Sequence, residues 1–363
     1  MRRTKSTKTC GFTLVEVMIS MALSLVILGA ALQVYKKAVD TTFLVSQRAE
    51  MQQDSRAAMG LVSKDIGLAG ANLPKGGIQL PGGAQNSIYG CDQTQCYVPG
   101  LIPTGLSYPT GNVLYGIIPG YQQGMPTSSG GPATDIITVV YVDPTFTLNQ
   151  YSVLGLTTSS ITFGATPAGI PPIGDPAVGI KVGDLLLVQN NVGAAIGEVT
   201  GINGSAITFG DLDALHINQS AAPTCPMKAL AQAPVNLAAT SAQRILVITY
   251  YIDVPKGPDG VRYTADDLPP RLMRQVNGQT PTPVADNIVG LQFTYDSYDD
   301  ITNTPLIGSP NAGMPGNSPN QIREVNIVHL TSRGALRGTT GFQGLDLTTS
   351  VSVRNMSFMD RYK

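Results

Sequence analysis

The chain has 363 residues, 42% of them apolar and only 13% charged, with 40 Gly, 26 Pro, no Trp and a formal net charge of −1. The charged fraction is about half the globular norm and Gly plus Pro is well above it, which excludes a coiled coil and a highly charged disordered chain. Near-neutrality carries no nucleic-acid signature, and the length supports one large or two modest domains with a real hydrophobic core.

The residue types are sharply segregated. Residues 1–70 hold 9 Lys+Arg and no proline, whereas all 26 prolines lie from Pro74 onward. A proline-free start before a Pro- and Gly-rich remainder predicts one long helix attached to a loop-rich β region. Four basic residues (Arg2, Arg3, Lys5, Lys8) precede an apolar run from Phe12 to Val34, 23 residues with one charge, Glu16. As a helix this run spans roughly 34 Å, enough to cross a ~30 Å hydrocarbon core. The basic flank predicts a cytoplasmic N-terminus, with the bulk of the chain on the other side, although Lys36 and Lys37 weaken the contrast. A cleaved secretory signal has an h-region of only about 7–15 residues, and neither it nor a plain signal anchor explains a carboxylate inside the apolar run.

The segment Gly11–Ser20, GFTLVEVMIS, resembles the type IV prepilin signature: a basic leader, then Gly, then Phe, with Glu at the fifth mature position, here Gly11, Phe12 and Glu16. The resemblance implies cleavage between Gly11 and Phe12 by a prepilin peptidase at the cytoplasmic face of the inner membrane, and N-methylation of Phe12. It also gives Glu16 a role, since a carboxylate on one helix neutralises the α-ammonium at Phe12 of a neighbouring subunit when both leave water. Removal of the leader takes four cations with it, so the mature chain carries a net −5.

Residues 35–70 continue as an amphipathic helix, with Phe43, Met51, Ala58, Leu61, Val62, Ile66 and Ala69 at mostly three- to four-residue steps. Gly70, Asn72 and Pro74 predict its stop. Beyond it, short runs read as strands: 135–142, 184–189, 244–252, 287–295, 324–330 and 350–359. Asn203-Gly204 is a hairpin-turn signal. Residues 71–134 read as an irregular Gly/Pro-rich insert and part of 301–320 as a long excursion. The organisation is therefore a leader (1–11), a transmembrane or filament-core helix (12–34), its amphipathic continuation (35–70), the insert (71–134) and a β-rich domain (135–363). The fold class is α+β, pilin-like: a long N-terminal hydrophobic helix followed by a large antiparallel β-rich globular domain.

The later segments also resemble PilW-type minor pilins: Gln47-Arg48, Gln52, Arg56-Ala57-Ala58, and Asp65 followed by Leu68-Ala69-Gly70, then VITYYI, RLMRQ, NIVGLQFTYD, REVNIVHLTSR and SVRN in order. Gly67 stands where that family commonly has Arg. The resemblance implies a structural subunit that helps initiate or cap a pilus, with other minor pilins and the major pilin as partners. It would be a single-pass inner-membrane protein with a periplasmic domain before joining a pilus at the cell surface. A minor pseudopilin of type II secretion and a pilus-tip adhesin are the alternatives.

Of four cysteines, Cys10 leaves with the leader. Cys91 and Cys96 are spaced for a small disulfide in an oxidising compartment, free thiols or zinc being the other readings, with Cys225 left over. Asp253, Asp259, Asp266 and Asp267 lack the EF-hand spacing and read as a solvated turn, and Asp296, Asp299 and Asp300 are discounted likewise. His329 reads as a structural strand histidine. A net +3 over residues 321–363 reads as an ordinary charged face rather than a nucleic-acid site. Hydrolase, zinc-protease, P-loop and dinucleotide motifs are all lacking, so no catalysis, cofactor, metal or small-molecule substrate is expected.

Overall fold

One helix, Leu14–Leu68, runs for 55 residues. The computed structural model describes residues 11, 13–74, 76–81, 90–91, 96–97, 113–232, 235–299, 303–310, 319–335 and 341–359. The chain divides into two compact units, Met1–Gln52 with Gly334–Gln343, and Gln53–Arg333 with Gly344–Lys363. In the first unit the helix is almost wholly uncovered. Near its end, Arg48 Nε donates to Gln343 Oε1 at 2.6 Å, and Gly334 lies against Gln47 and Met51.

In the second unit the helix shows a buried stripe of Ser55, Ala58, Val62, Asp65, Ile66 and Ala69. The steps of three and four keep these side chains on one face. The helix gives way to a turn at Gly70, whose φ of +76° suits glycine. There Gly70 N donates to Val140 O at 2.9 Å. A Cβ on Gly116 would come within 2.9 Å of the Gly70 backbone, so two glycines let the helix end seat directly on the sheet.

That sheet has seven strands, all antiparallel, in the order Ala194–Glu198, Leu185–Gln189, Ser241–Asp253, Arg271–Val276, Thr282–Asp286, with Ile136–Val142 also on Ser241–Asp253 and Ile117–Gly120 beyond it. Ile136–Val142 is buried at every position because both faces are covered. Ile137, Val139 and Tyr141 join the helix stripe and the strands Ile288–Asp299 and Ile322–Ala335 in one core. Ile136, Val140 and Val142 point the other way, to Leu73, Ile78, Leu187 and Val247. A third core, with Phe146, Phe163, Ile207 and Phe209, fills a smaller sheet of Gly201–Asn203, Ala206–Thr208, Ser160–Phe163 and Val153–Leu156. The last sheet runs Thr304–Ser309, Ile288–Asp299, Ile322–Ala335, Phe342–Ser352.

Three sequence expectations are corrected. Residues 350–359 do not form a strand: Phe342–Ser352 is the strand and Arg354–Met359 a short helix. Val353 and Met356, three apart, are both buried, the spacing of a helical turn rather than a pleat. The excursion at 301–320 contains the strand Thr304–Ser309. In the hairpin, Asn203 pairs with Ala206, so the two turn residues are Gly204 and Ser205, one position on from the expected pair; Gly204 carries the positive φ. Within the insert, Ile78–Gln79 pairs with Val113–Leu114.

Candidate functional site

The amino end of the helix is closed by its own side chains. Thr13 precedes the first helical residue, and Glu16 N donates to Thr13 Oγ1 at 3.3 Å. In return Glu16 Oε2 accepts from Thr13 N at 3.3 Å and from Thr13 Oγ1 at 3.2 Å. This is a capping box, which satisfies two backbone donors that a helix start leaves orphaned. The carboxylate also sits at the positive end of the helix dipole. The spacing Thr13-x-x-Glu16 is a legible capping signal, and the sequence reading assigned Glu16 to charge pairing without it. Glu16 and Gly11 are exposed, and Phe12 lies outside the described residues.

Behind this cap the helix is apolar on every side. Leu25, Val26 and Ile27 point in three directions and are 70%, 70% and 68% exposed. A helix apolar all round is stable only where lipid or other helices cover it. This one is long and apolar enough to cross a membrane. Its few hydroxyls are satisfied internally: Ser20 donates to Val17 O at 2.9 Å and Ser24 to Ser20 O at 2.7 Å. That removes most of the cost of placing them in hydrocarbon.

At the other end of the helix, four side chains meet in a buried polar cluster. Asp65 Oδ2 accepts from Arg274 Nε at 2.9 Å and Tyr250 Oη at 2.6 Å, and Oδ1 accepts from Tyr141 Oη at 3.1 Å. Arg274 Nε also lies 3.1 Å from Tyr250 Oη. Burial, then the Asp65 charge, holds both tyrosine hydroxyls far above their ordinary value, so they act as donors. Burial alone works against the Arg274 charge, but the Asp65 contact outweighs it and raises the guanidinium. Asp65 and Arg274 were both visible in the PilW-like segments; what no local pattern revealed is that they pair.

The remaining candidates are dispersed. Backbone pairing sets Cys91 directly opposite Cys96 in a two-residue ladder. Cys225 is buried as a thiol in the third core. His329 Nδ1 lies 2.7 Å from Asp346 Oδ2 on the adjacent strand. Asp253 is buried against Arg271 at 3.2 Å. In the turn that follows, Asp267 accepts from the Gly257, Tyr263 and Thr264 amides and Asp259 from Val261 N. These carboxylates brace the loop's own backbone. Asp296 accepts from Gly308 N at 2.7 Å and Asn326 Nδ2 at 3.1 Å; the side chains of Asp299 and Asp300 lie outside the described residues. Among the described residues, no three His, Cys, Asp or Glu side chains converge as metal ligands.

The family model of the prokaryotic N-terminal methylation motif matches residues 6–32. That span covers the second half of the leader from Ser6, the Gly11-Phe12 junction, Glu16 and most of the apolar run. No curated protein and no solved structure matches the chain. The matched motif and the bare apolar helix behind it support a type IV pilin-like protein that is processed by prepilin peptidase and assembles with other pilins.

Proposed function

We propose that this protein is a minor pilin of the PilW type, a structural and non-enzymatic subunit that helps initiate or cap a type IV pilus together with other minor pilins and the major pilin. The observation that carries the reading is the juxtaposition of the motif at residues 6–32 with an uncovered helix, apolar all round. Before assembly this helix spans the inner membrane with the β-rich domain in the periplasm. Assembly exchanges lipid for neighbouring helices. Cleavage after Gly11 exposes Phe12, whose methylated ammonium then needs a counter-charge in an apolar setting, and Glu16 of an adjacent subunit supplies it. The Thr13 box holds that carboxylate at the helix start until the exchange.

The test is mass spectrometry of the chain isolated from producing cells. The expected mature form begins at N-methylated Phe12. An intact Met1, or a cut near residue 35, removes the basis of the proposal.

A further inference from the structure

Strands at the edges of sheets offer unpaired amides and carbonyls, and proteins usually blunt them with proline, bulges, charges or shortness. Among the described residues, most edges here follow that rule. Thr304–Ser309 has Pro305, a glycine at φ +69° and a register break against its neighbour. Thr282–Asp286 has Pro283 and a bulge of its own at Val284. Gly201–Asn203 is three residues long, and Val153–Leu156 is short and irregular in register. The longest exception is the last strand, Phe342–Ser352, eleven residues at the end of its sheet. It has no proline, no residue at positive φ and one ionisable side chain, Asp346.

That one charge is drawn away from the edge. Asp346 Oδ2 is 2.7 Å from His329 Nδ1, and Oδ1 accepts from Thr331 Oγ1 at 2.9 Å, both on the inner neighbour strand. Leu347 and Val351 pack on the core yet are only partly covered, while Gly344, Thr348, Ser350 and Ser352 are exposed. Among the described residues, Gly344–Ser352 is thus anchored on its inner side and has no strand on its outer one. The whole strand also starts beside the helix that packs with other pilins, through the Arg48–Gln343 hydrogen bond at 2.6 Å.

We infer that the outer edge of Gly344–Ser352 is a docking strand, which takes up an extended, weakly charged strand from a different pilin subunit of the same assembly. Main-chain hydrogen bonds supply the affinity, and the small Thr and Ser side chains let the incoming backbone approach. The inference rests on the pilin reading. The helices bring two subunits side by side, and the edge then selects which neighbour fits and in what register.

The test is photo-crosslinking in producing cells with the full chain. The variants are Thr348→benzoylphenylalanine and Ser350→benzoylphenylalanine, with Leu212→benzoylphenylalanine as a surface control. The expected result is a light-dependent adduct with another pilin subunit at the two strand positions, at least tenfold stronger than at Leu212. A Thr348→Lys/Ser350→Lys chain should lower co-purification of that subunit by about tenfold while the chain's membrane level is unchanged. Adducts only between two copies of this chain, or none above the control, overturn the proposal. The N-terminal mass of the same samples separates the failures. A methylated Phe12 with no adduct refutes the docking strand alone, whereas an unprocessed chain refutes the pilin reading beneath it.

Discussion

Arg274 Nε lies 2.9 Å from Asp65 Oδ2, joining the last turns of the long helix to a sheet strand 209 residues further along the chain. The Asp65 side chain is 3% exposed and that of Arg274 22%. Two tyrosine hydroxyls complete the coordination of the carboxylate, so the pair enters the core with its lone pairs occupied. A buried ion pair satisfied in this way contributes little net stability but costs much when one partner is lost.

Arg274→Met is therefore expected to destabilise the fold by about 3–5 kcal/mol, because it strands a buried carboxylate. Tyr250→Phe removes one hydrogen bond to a charged group and should cost about 1.5–3 kcal/mol. The double variant Asp65→Leu/Arg274→Met should recover most of the single-variant loss. Urea unfolding of the detergent-solubilised full chain measures all three. A double-variant loss as large as that of Arg274→Met alone would show that the stranded carboxylate is not its cause.

Glu16 has two duties that substitutions can separate. Thr13→Ala breaks the capping box and should cost about 0.5–2 kcal/mol of helix stability, with the counter-charge intact. Glu16→Gln keeps an N3 acceptor and loses the charge; Glu16→Ala loses both. If charge pairing governs assembly, both Glu16 variants should fail to enter filaments while their helix content is close to wild type, and Thr13→Ala should still enter. Immunoblots of sheared filaments against membranes read this directly. Normal incorporation of Glu16→Gln would sink the charge-pairing role and leave only the cap.

The folded domain should lose stability as pH rises from about 5 to 7.5. Burial first, and then the neighbouring Asp213 carboxylate, pushes Glu198 up to about 7 despite hydrogen bonds from the Leu215 and Ala214 amides. Burial likewise raises Asp135 to about 6, against amide bonds from Gln122 and Phe293. For such acids the folded state holds the proton more tightly than the unfolded state. Their contribution is complete below the unfolded values of 4.5 and 3.8 and is lost as pH passes through the folded ones. A fall of a few degrees in Tm between pH 5 and 7.5 is expected, and Glu198→Gln should flatten much of it. A Tm that climbs over that range in the wild-type chain contradicts the assignment.

Legibility followed the range of the interactions. The run 136–142, apolar but for Thr138, was readable as a strand because burial on both faces replaces alternation with a nearly continuous run of β-branched residues. The amphipathic stripe of 58–69 was readable because its period is local. Arg354–Met359 was not, since one helical turn ending in two apolar residues looks like a strand when read without its neighbours. Nor was the Asp65–Arg274 pairing, which depends on how the helix lies on a sheet assembled from distant segments. Glu16 falls between: its charge stood out in the apolar run, whereas its bond to Thr13 needed a separate motif to be noticed.

The register of the Gly90–Cys91 and Cys96–Tyr97 ladder sets Cys91 opposite Cys96, and the periplasmic location proposed above is an oxidising one in which such a pair is expected to form a disulfide. Cys225 is buried among Phe146, Phe209 and Leu230, where a thiol is shielded from reagents. In chain isolated without reductant, alkylation under native conditions should therefore label none of the mature cysteines, and alkylation after denaturation should label one, Cys225. Reduction before denaturing alkylation should raise the count to three, with peptide mapping placing the two new labels on Cys91 and Cys96. Three labels without reduction would refute the disulfide, and a cross-link reaching Cys225 would replace it with a different connectivity.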